Sequence, residues 1–374
     1  MPVLKALFWG SLGALAWTHA GYPAAAALGA RLRPRRVRKD EITPRVTVIV
    51  PAYNEEAVIR RRLENLLALE YPADRLEVVV SSDDSDDGTD EIVQEVTARE
   101  PRVRLMRWPR GGKLPGLNKT VAATDSDVVA FTDANTTWAG DALTKLVRSF
   151  ADDEVAYVCG RLTLQSPDGA NREGVYWRYE LWLRENESRL GSITGGNGSI
   201  YAIRRSDYAE APFGHDLSFP TLAVRRGRRA VYDPDAIAYE KPTPESADEF
   251  RRKVRMLPFS WGFVLDGGML RGVPGLYAAE LLSHRHLRYA SGPLHVVLLA
   301  TNVALVRDGP IYRAALAAQG AWLALAAAGR VRAPVPGAAV AHYYLLMTSA
   351  TIASLVRYLR TGASWTWEKA EGTR

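Results

Sequence analysis

Carboxylates and amides recur at three places along this 374-residue sequence, and their types suggest one piece of chemistry. Pro51-Ala52-Tyr53-Asn54-Glu55 is the first. The second is residues 81–89, Ser-Ser-Asp-Asp-Ser-Asp-Asp-Gly-Thr, and the third is Asp133-Ala134-Asn135. Gathered in one place, such groups repel each other unless a cation is bound, and hard oxygen ligands suit Mg²⁺ or Mn²⁺. A divalent ion carrying a diphosphate is the economical reading. Arg110-Gly111-Gly112-Lys113 adds flexible backbone and positive charge at a helix entrance, a setting that favours phosphate. Taken singly, each signal has a plain alternative. Residues 83–90 also suit a helix cap and a solvated turn. A calcium loop of the EF-hand kind fails, because Gln94 stands where the bidentate Glu belongs and a strand precedes the loop.

The elements that would hold these loops follow from periodicity. Short β-branched runs at 46–50, 76–80, 103–107, 128–132 and 155–159 predict strands, and amphipathic stretches at 56–68, 89–99, 116–123 and 141–150 predict helices. Such alternation implies an α/β domain with a parallel sheet and helices on both faces. Ligands of such sheets sit at the carboxyl ends of the strands, where the three polar loops fall.

Composition places this domain beside a membrane. One cysteine, Cys159, excludes an intramolecular disulfide framework, and Cys/His clusters at zinc spacing are absent, so a reducing compartment is expected. The net charge of +6 comes with basic clusters beside apolar runs, which points to anionic lipid and not to nucleic acid. No charged residue occurs from 6 to 30, long enough for a span, with a cleaved signal peptide as the alternative. Arg31, Arg33, Arg35, Arg36, Arg38 and Lys39 follow and would stay cytoplasmic. Apolar runs at 294–306, 311–328 and 338–356 predict two or three C-terminal spans. The expected organisation is an N-terminal transmembrane helix (1–30), a basic linker (31–44), a cytosolic α/β domain (45–240), amphipathic interface helices (241–290), C-terminal transmembrane helices (291–358) and a polar tail (359–374).

With these residues in hand, the sequence resembles the family 2 glycosyltransferases of GT-A fold, the group that includes polysaccharide and glycolipid synthases. Residues 46–55 (VTVIVPAYNE) match the family's opening strand and loop, and residues 82–89 match its acidic nucleotide-binding turn. The resemblance implies a Rossmann-like, mostly parallel sheet and a nucleotide site built from Pro51, Tyr53, Glu55, Asp83, Lys113 and Asp133. It implies a Mg²⁺ or Mn²⁺ ion held by Asp133 and Asn135, where the second Asp of the usual Asp-x-Asp is replaced by Asn. Gly195, Gly196 and Arg204 resemble the segment lining the donor and acceptor pocket. His215-Asp216 stands where the family has Glu-Asp, which makes Asp216 the general base. Arg255 lies on the Arg of the processive Gln-x-x-Arg-Trp signature, whose Gln and Trp are here Arg252 and Met256. The implied reaction is inverting transfer from a nucleotide-sugar, by family habit a UDP-sugar, to a membrane-associated glycan or lipid, by a multi-pass cell-membrane protein. A chain that had kept the fold and lost the chemistry would share most of these motifs. Oligomeric state is left open.

Overall fold

The computed structural model describes residues 1–165, 174–241 and 246–363. They fall into two compact units, one formed by residues 29–241 with the turn 272–274, the other by residues 1–28, 246–271 and 275–363.

In the first unit, and among the described residues, eight strands form one sheet: β1 (Val46–Ala52), β2 (Leu76–Ser82), β3 (Val103–Arg107), β4 (Val128–Phe131), β5 (Thr137–Trp138), β6 (Val155–Leu164), β7 (Tyr201–Arg204) and β8 (Arg229–Glu240), in the order β3-β2-β1-β4-β7-β6-β8-β5. The pairs β1–β2, β1–β4, β2–β3 and β6–β8 are parallel; β4–β7, β6–β7 and β5–β8 are antiparallel. Every residue of β1 is buried, because helices cover both faces of a central parallel strand. Val48, Val50, Val78 and Val80 pack one face with Leu63 and Leu66; Ile49, Val129 and Phe131 pack the other with Leu117 and Val121. Pro51 sits in this central strand without cost to the ladder. Its neighbour β4 ends at Phe131, opposite Ile49, so no partner there needs the N–H that proline lacks.

The five expected strands are present, and most run a few residues longer. The first helix begins at Ile59, three residues later than expected, because residues 54–56 bond to the loop after β2 instead of entering the helix. The third begins at Lys113, three residues earlier. Periodicity predicted neither β7 and β8 nor the helices Val175–Leu190 and His215–Arg225. The expected basic linker belongs to this unit. Arg35 N donates to the Arg189 carbonyl at 2.7 Å, Lys39 pairs with Asp233 at 3.0 Å, and the buried Arg229 guanidinium donates to the carbonyls of Arg35 and Arg36. Part of the positive charge expected to meet lipid is therefore spent within the domain.

The second unit is helical. The N-terminal stretch is α-helical over Pro2–Ala16 and Tyr22–Leu32 with a π-helical turn, Trp17–Gly21, between them. Among the described residues one helix, Ala338–Thr361, is both long and apolar enough to cross a membrane; Ser291–Leu305 is apolar but shorter. Pro310–Arg330 has the length but is not apolar enough. The expected interface region holds the helix Ser246–Asp266, and most of the expected polar tail lies outside the described residues.

Gly160 sits at a close approach within the sheet. It lies at a register shift between β6 and β8, where an added Cβ would come within 2.5 Å of the Ala236 carbonyl oxygen. Gly160→Ala is expected to lower stability by about 1–3 kcal/mol through overpacking. Calorimetry showing an unchanged melting temperature would refute that.

Candidate active site

The loops after β1 and β2 lock together before any ligand is considered. Asn54 adopts a left-handed conformation, φ 56°, which its short polar side chain tolerates. Its backbone N–H donates to Ser85 Oγ at 3.2 Å, and its side-chain oxygen accepts from the Asp86 N–H at 3.0 Å. Glu55 N donates to Thr89 Oγ1 at 2.7 Å, Glu56 N to Asp87 at 3.3 Å, and the Gly88 N–H donates back to Glu56 at 3.0 Å. Most of the acidic run thus has a fixed local role, as the plain reading of a turn requires. Asp83 has a different one. Only 4% exposed, it accepts from Gly111 N at 2.8 Å, Gly112 N at 3.0 Å and Arg110 Nη1 at 3.0 Å. Charge-assisted bonds of this kind are short and strong. The same Arg110 guanidinium lies over the Tyr53 ring, 3.2 Å from its centroid, a cation–π arrangement. Tyr53, Asp83, Arg110 and the Gly111-Gly112 amides therefore meet, with buried Glu55 at the base of the same loop.

Lys113, the first residue of the helix Lys113–Ala122, forms an ion pair with Asp133, which follows β4. This pairing bears on whether a metal fits. The one carboxylate in place has a cation drawn to it. Among the described residues no group of three His, Cys, Asp or Glu side chains could hold an ion. A divalent ion alone is therefore held weakly, and tightly only once a diphosphate supplies most of its charged oxygens. Asn135 donates its amide to Glu240 Oε1 at 3.2 Å, so the amide's position is fixed by β8. The direction of β7 brings the next segment to the same edge. Because β7 runs antiparallel to β4 with Tyr201 opposite Phe131, the loop before it, Gly195–Ile200, emerges beside Asp133. A Cβ at Gly198 would stand 3.4 Å from Asp133 Oδ2. Gly196 N donates to the Asp216 carbonyl at 2.7 Å, its carbonyl accepts from Arg184 at 3.1 Å, and a Cβ there would collide with the Tyr157 hydroxyl. Asn197 completes the turn, accepting from the N–H groups of Ser199 and Ile200 at 3.0 Å each. One glycine-rich loop thus ties Asp133 to Asp216.

Asp216 lies in the first turn of the helix His215–Arg225, half-buried, where the helix dipole favours a carboxylate. The preceding His215 is buried against Phe219, ring centroids 4.3 Å apart, with Nδ1 2.9 Å from the Tyr201 hydroxyl. Burial, and then the charge of Lys113, push its imidazole down to about 3. His215 is therefore neutral at physiological pH, and Asp216 has no second carboxylate as its immediate neighbour.

One expected site residue is not among this group. Arg204 is opposite Val128, at the start of β4 and hence at the other edge of the sheet. There it donates to the carbonyls of Val155 at 2.8 Å and Asp152 at 3.1 Å and caps the Phe150 ring. Its expected place in the donor and acceptor pocket is corrected: the antiparallel strand carries it away from the loop it follows in sequence. Arg255 belongs to the helix Ser246–Asp266 of the helical unit. Sequence reasoning missed Arg184 and Arg62. Neither carries a local signal, since basic residues at helical spacing read as a solvated face.

The neutral imidazole has a consequence for stability. In the unfolded chain His215 takes a proton near its ordinary value of about 6.5, whereas the fold refuses it until about 3. As pH drops below about 6.5 the unfolded state binds the extra proton, so stability is lost at about 1.4 kcal/mol per pH unit. His215→Gln should remove that slope between about pH 6 and pH 4 in denaturant titrations. Parallel slopes for both proteins would mean the imidazole is charged in the fold.

Residues 47–211 match the family described as Glycosyl transferase family 2. A beta-monoglucosyldiacylglycerol synthase of Trichormus variabilis is 29% identical over 54% of this chain and 45% of its own length. The probable glycosyltransferase YdaM of Bacillus subtilis is 38% identical over 53% of this chain and 51% of its own. The chain thus spans about half the length of these curated relatives. A mannosyltransferase from Pyrobaculum calidifontis, solved with GDP-mannose and Mn²⁺, superposes with a TM-score of 0.72 at 27% identity, over 96% of this chain and 98% of that one. With the sheet, the loops at its carboxyl edge and these likenesses in agreement, the chain contains a family 2 glycosyl transferase domain of GT-A fold.

Proposed function

We propose that this protein transfers a sugar from a nucleoside diphosphate sugar to a membrane-associated glycan or lipid, by a single displacement that inverts the anomeric centre. The observation that carries the reading is the joining of Asp133, paired with Lys113, to Asp216 through the loop Gly195–Gly198. Charge suited to a diphosphate and a carboxylate suited to a hydroxyl proton thereby border one loop.

In this reading Tyr53, Glu55 and Asp83 hold the nucleoside while Pro51 shapes the strand end beneath them. Lys113 leaves Asp133 and pairs with the diphosphate, and Asp133 with the diphosphate oxygens would hold Mg²⁺ or Mn²⁺. When bound, that ion supplies positive charge to the leaving group. Asn135 adds a neutral oxygen or keeps its place on Glu240. The acceptor hydroxyl attacks the anomeric carbon, the bond to the diphosphate oxygen breaks, and Asp216 takes the hydroxyl proton as the new bond forms. Neutral His215 favours this role, because a carboxylate in its place would raise the affinity of Asp216 for protons. Gly195 leaves room for the sugars, and Gly196 seats the loop against Tyr157. The donor is a UDP-sugar, with GDP-sugars the alternative that the Pyrobaculum calidifontis likeness raises. Membrane attachment is assigned to the helical unit, with Ala338–Thr361 as a span and the N-terminal and remaining apolar helices completing a multi-pass anchor. The catalytic unit then faces the cytoplasm.

Calorimetry on the detergent-purified protein with UDP, GDP and ADP, each with and without Mn²⁺, tests the donor class. A diphosphate at about a hundred times its dissociation constant adds about 2.7 kcal/mol to the native state. A metal-dependent rise in melting temperature with one of the three, abolished by Asp133→Ala, is expected. No shift with any nucleotide would favour a chain that keeps the fold without the chemistry. Asp216→Asn is expected to lower kcat by about 10²- to 10⁴-fold while the diphosphate still raises the melting temperature. A variant with undiminished transfer would remove Asp216 as the base.

A further inference from the structure

A buried cation lies under the diphosphate loop and has no carboxylate of its own. Arg62, on the helix Ile59–Leu67, is 2% exposed. Its guanidinium donates to Thr132 Oγ1 at 2.7 Å and to the side-chain oxygen of Asn65, and it packs 5.2 Å from the Trp138 ring centroid. Among the described residues no carboxylate lies within ion-pair distance of it, and its Nε has no hydrogen-bond partner. These contacts bracket residues 133–137. Asn65 grips Trp138 at both its N–H and its carbonyl, 2.9 Å each. The Thr132 hydroxyl reaches the Asp133 and Ser199 carbonyls, and the Trp138 indole N–H also donates to Ser199 O at 2.9 Å. The segment that bears Asp133 and Asn135 and the end of the loop Gly195–Gly198 thus rest on one guanidinium.

Taking such a charge out of water is unfavourable by several kcal/mol, and an apolar side chain of similar volume is often neutral or stabilising in its stead. Desolvation pulls the Arg62 guanidinium down to about 9, and the charge of Asp133 works in the opposite direction. Asp133 is therefore the anion whose field this cation feels. Asn135 adds no negative charge, so around Asp133 two cations, Lys113 and Arg62, answer one carboxylate, a local balance suited to receive an anion.

We propose that Arg62 is an electrostatic positioning residue of the diphosphate site, a permanent charge beneath the Asp133 loop that strengthens binding of the nucleoside diphosphate and weakens binding of a metal ion alone. The inference rests on the donor reading above. Its mark is an opposite sign for the two ligands, since a damaged loop would bind both less well.

The test is isothermal titration of the full chain in detergent with Mn²⁺ alone and with UDP and GDP at saturating Mn²⁺, beside calorimetry, for wild type, Arg62→Met, Arg62→Lys and Thr132→Val. Arg62→Met should bind the diphosphate about tenfold more weakly, the size of one unit charge acting across a loop at an effective dielectric constant of about 20. It should bind Mn²⁺ alone no less tightly and melt no lower. Arg62→Lys and Thr132→Val, which keep the charge, should stay within about threefold of wild type for the diphosphate. Arg62→Met that loses Mn²⁺ and diphosphate together, or Thr132→Val that loses the diphosphate tenfold, would make Arg62 a strut and overturn the inference. If Arg62→Met does not fold, the two charge-keeping variants decide in the same way. A wild type that binds while Arg62→Met binds equally well overturns this inference alone, whereas a wild type that binds no diphosphate overturns it together with the donor reading.

Discussion

Negative charge converging on one edge of a sheet sets the terms for the catalytic unit. Strands β1, β2 and β4 all point their carboxyl ends the same way, and the loops they emit carry Glu55, Asp83 and Asp133. Such an edge is stable only if each carboxylate is answered. Asp83 is answered by Arg110 and two backbone amides, and Asp133 by Lys113 and, at longer range, by buried Arg62. Two of these answers, Arg110 and Lys113, come from the single segment 110–113 ahead of the helix Lys113–Ala122. In the proposed reaction that segment is where a diphosphate exchanges partners with the protein.

Packing fixes what charge alone would leave mobile. The loop Gly195–Gly198 has no room for side chains where it passes Tyr157 and Asp133, and Asn197 ties its turn by three hydrogen bonds to backbone groups. Rigid geometry of this kind matters for transfer chemistry, where reacting groups must be held within fractions of an ångström. The same loop supplies the bond from Gly196 to the Asp216 carbonyl, so the position of Asp216 follows from the position of the loop beside Asp133. Beneath it His215, Tyr201, Phe131 and Phe219 form an aromatic layer that keeps the imidazole neutral.

The helical unit follows different rules. Its helix Ala338–Thr361 carries no acidic residue, and Trp261 reaches into it through Thr351 and Ser354, polar groups that satisfy each other inside an apolar bundle. Gly292 admits that helix so closely that a Cβ would collide with the Thr351 hydroxyl. A small residue at such a crossing lets two helix backbones approach closely.

The sequence by itself determined the first half of the catalytic unit. Strands β1 to β4 were legible because buried parallel strands are unbroken β-branched runs, and the loops after β1, β2 and β4 were legible because polar residues at strand ends have few other reasons to cluster. Family resemblance pointed to Asp83, Asp133 and Asp216 through local words of a few residues. Local words carry no information about which way a later strand runs. The antiparallel insertion of β7 brought the glycine loop to Asp133 and sent Arg204 to the opposite edge. The pairing of β5 with β8 set Asn135 against Glu240. Burial of Arg62, and the desolvation that keeps His215 neutral, were likewise decided by tertiary structure. Each depends on what surrounds a side chain from elements distant in sequence, and a dielectric environment exists only once the chain has closed around it.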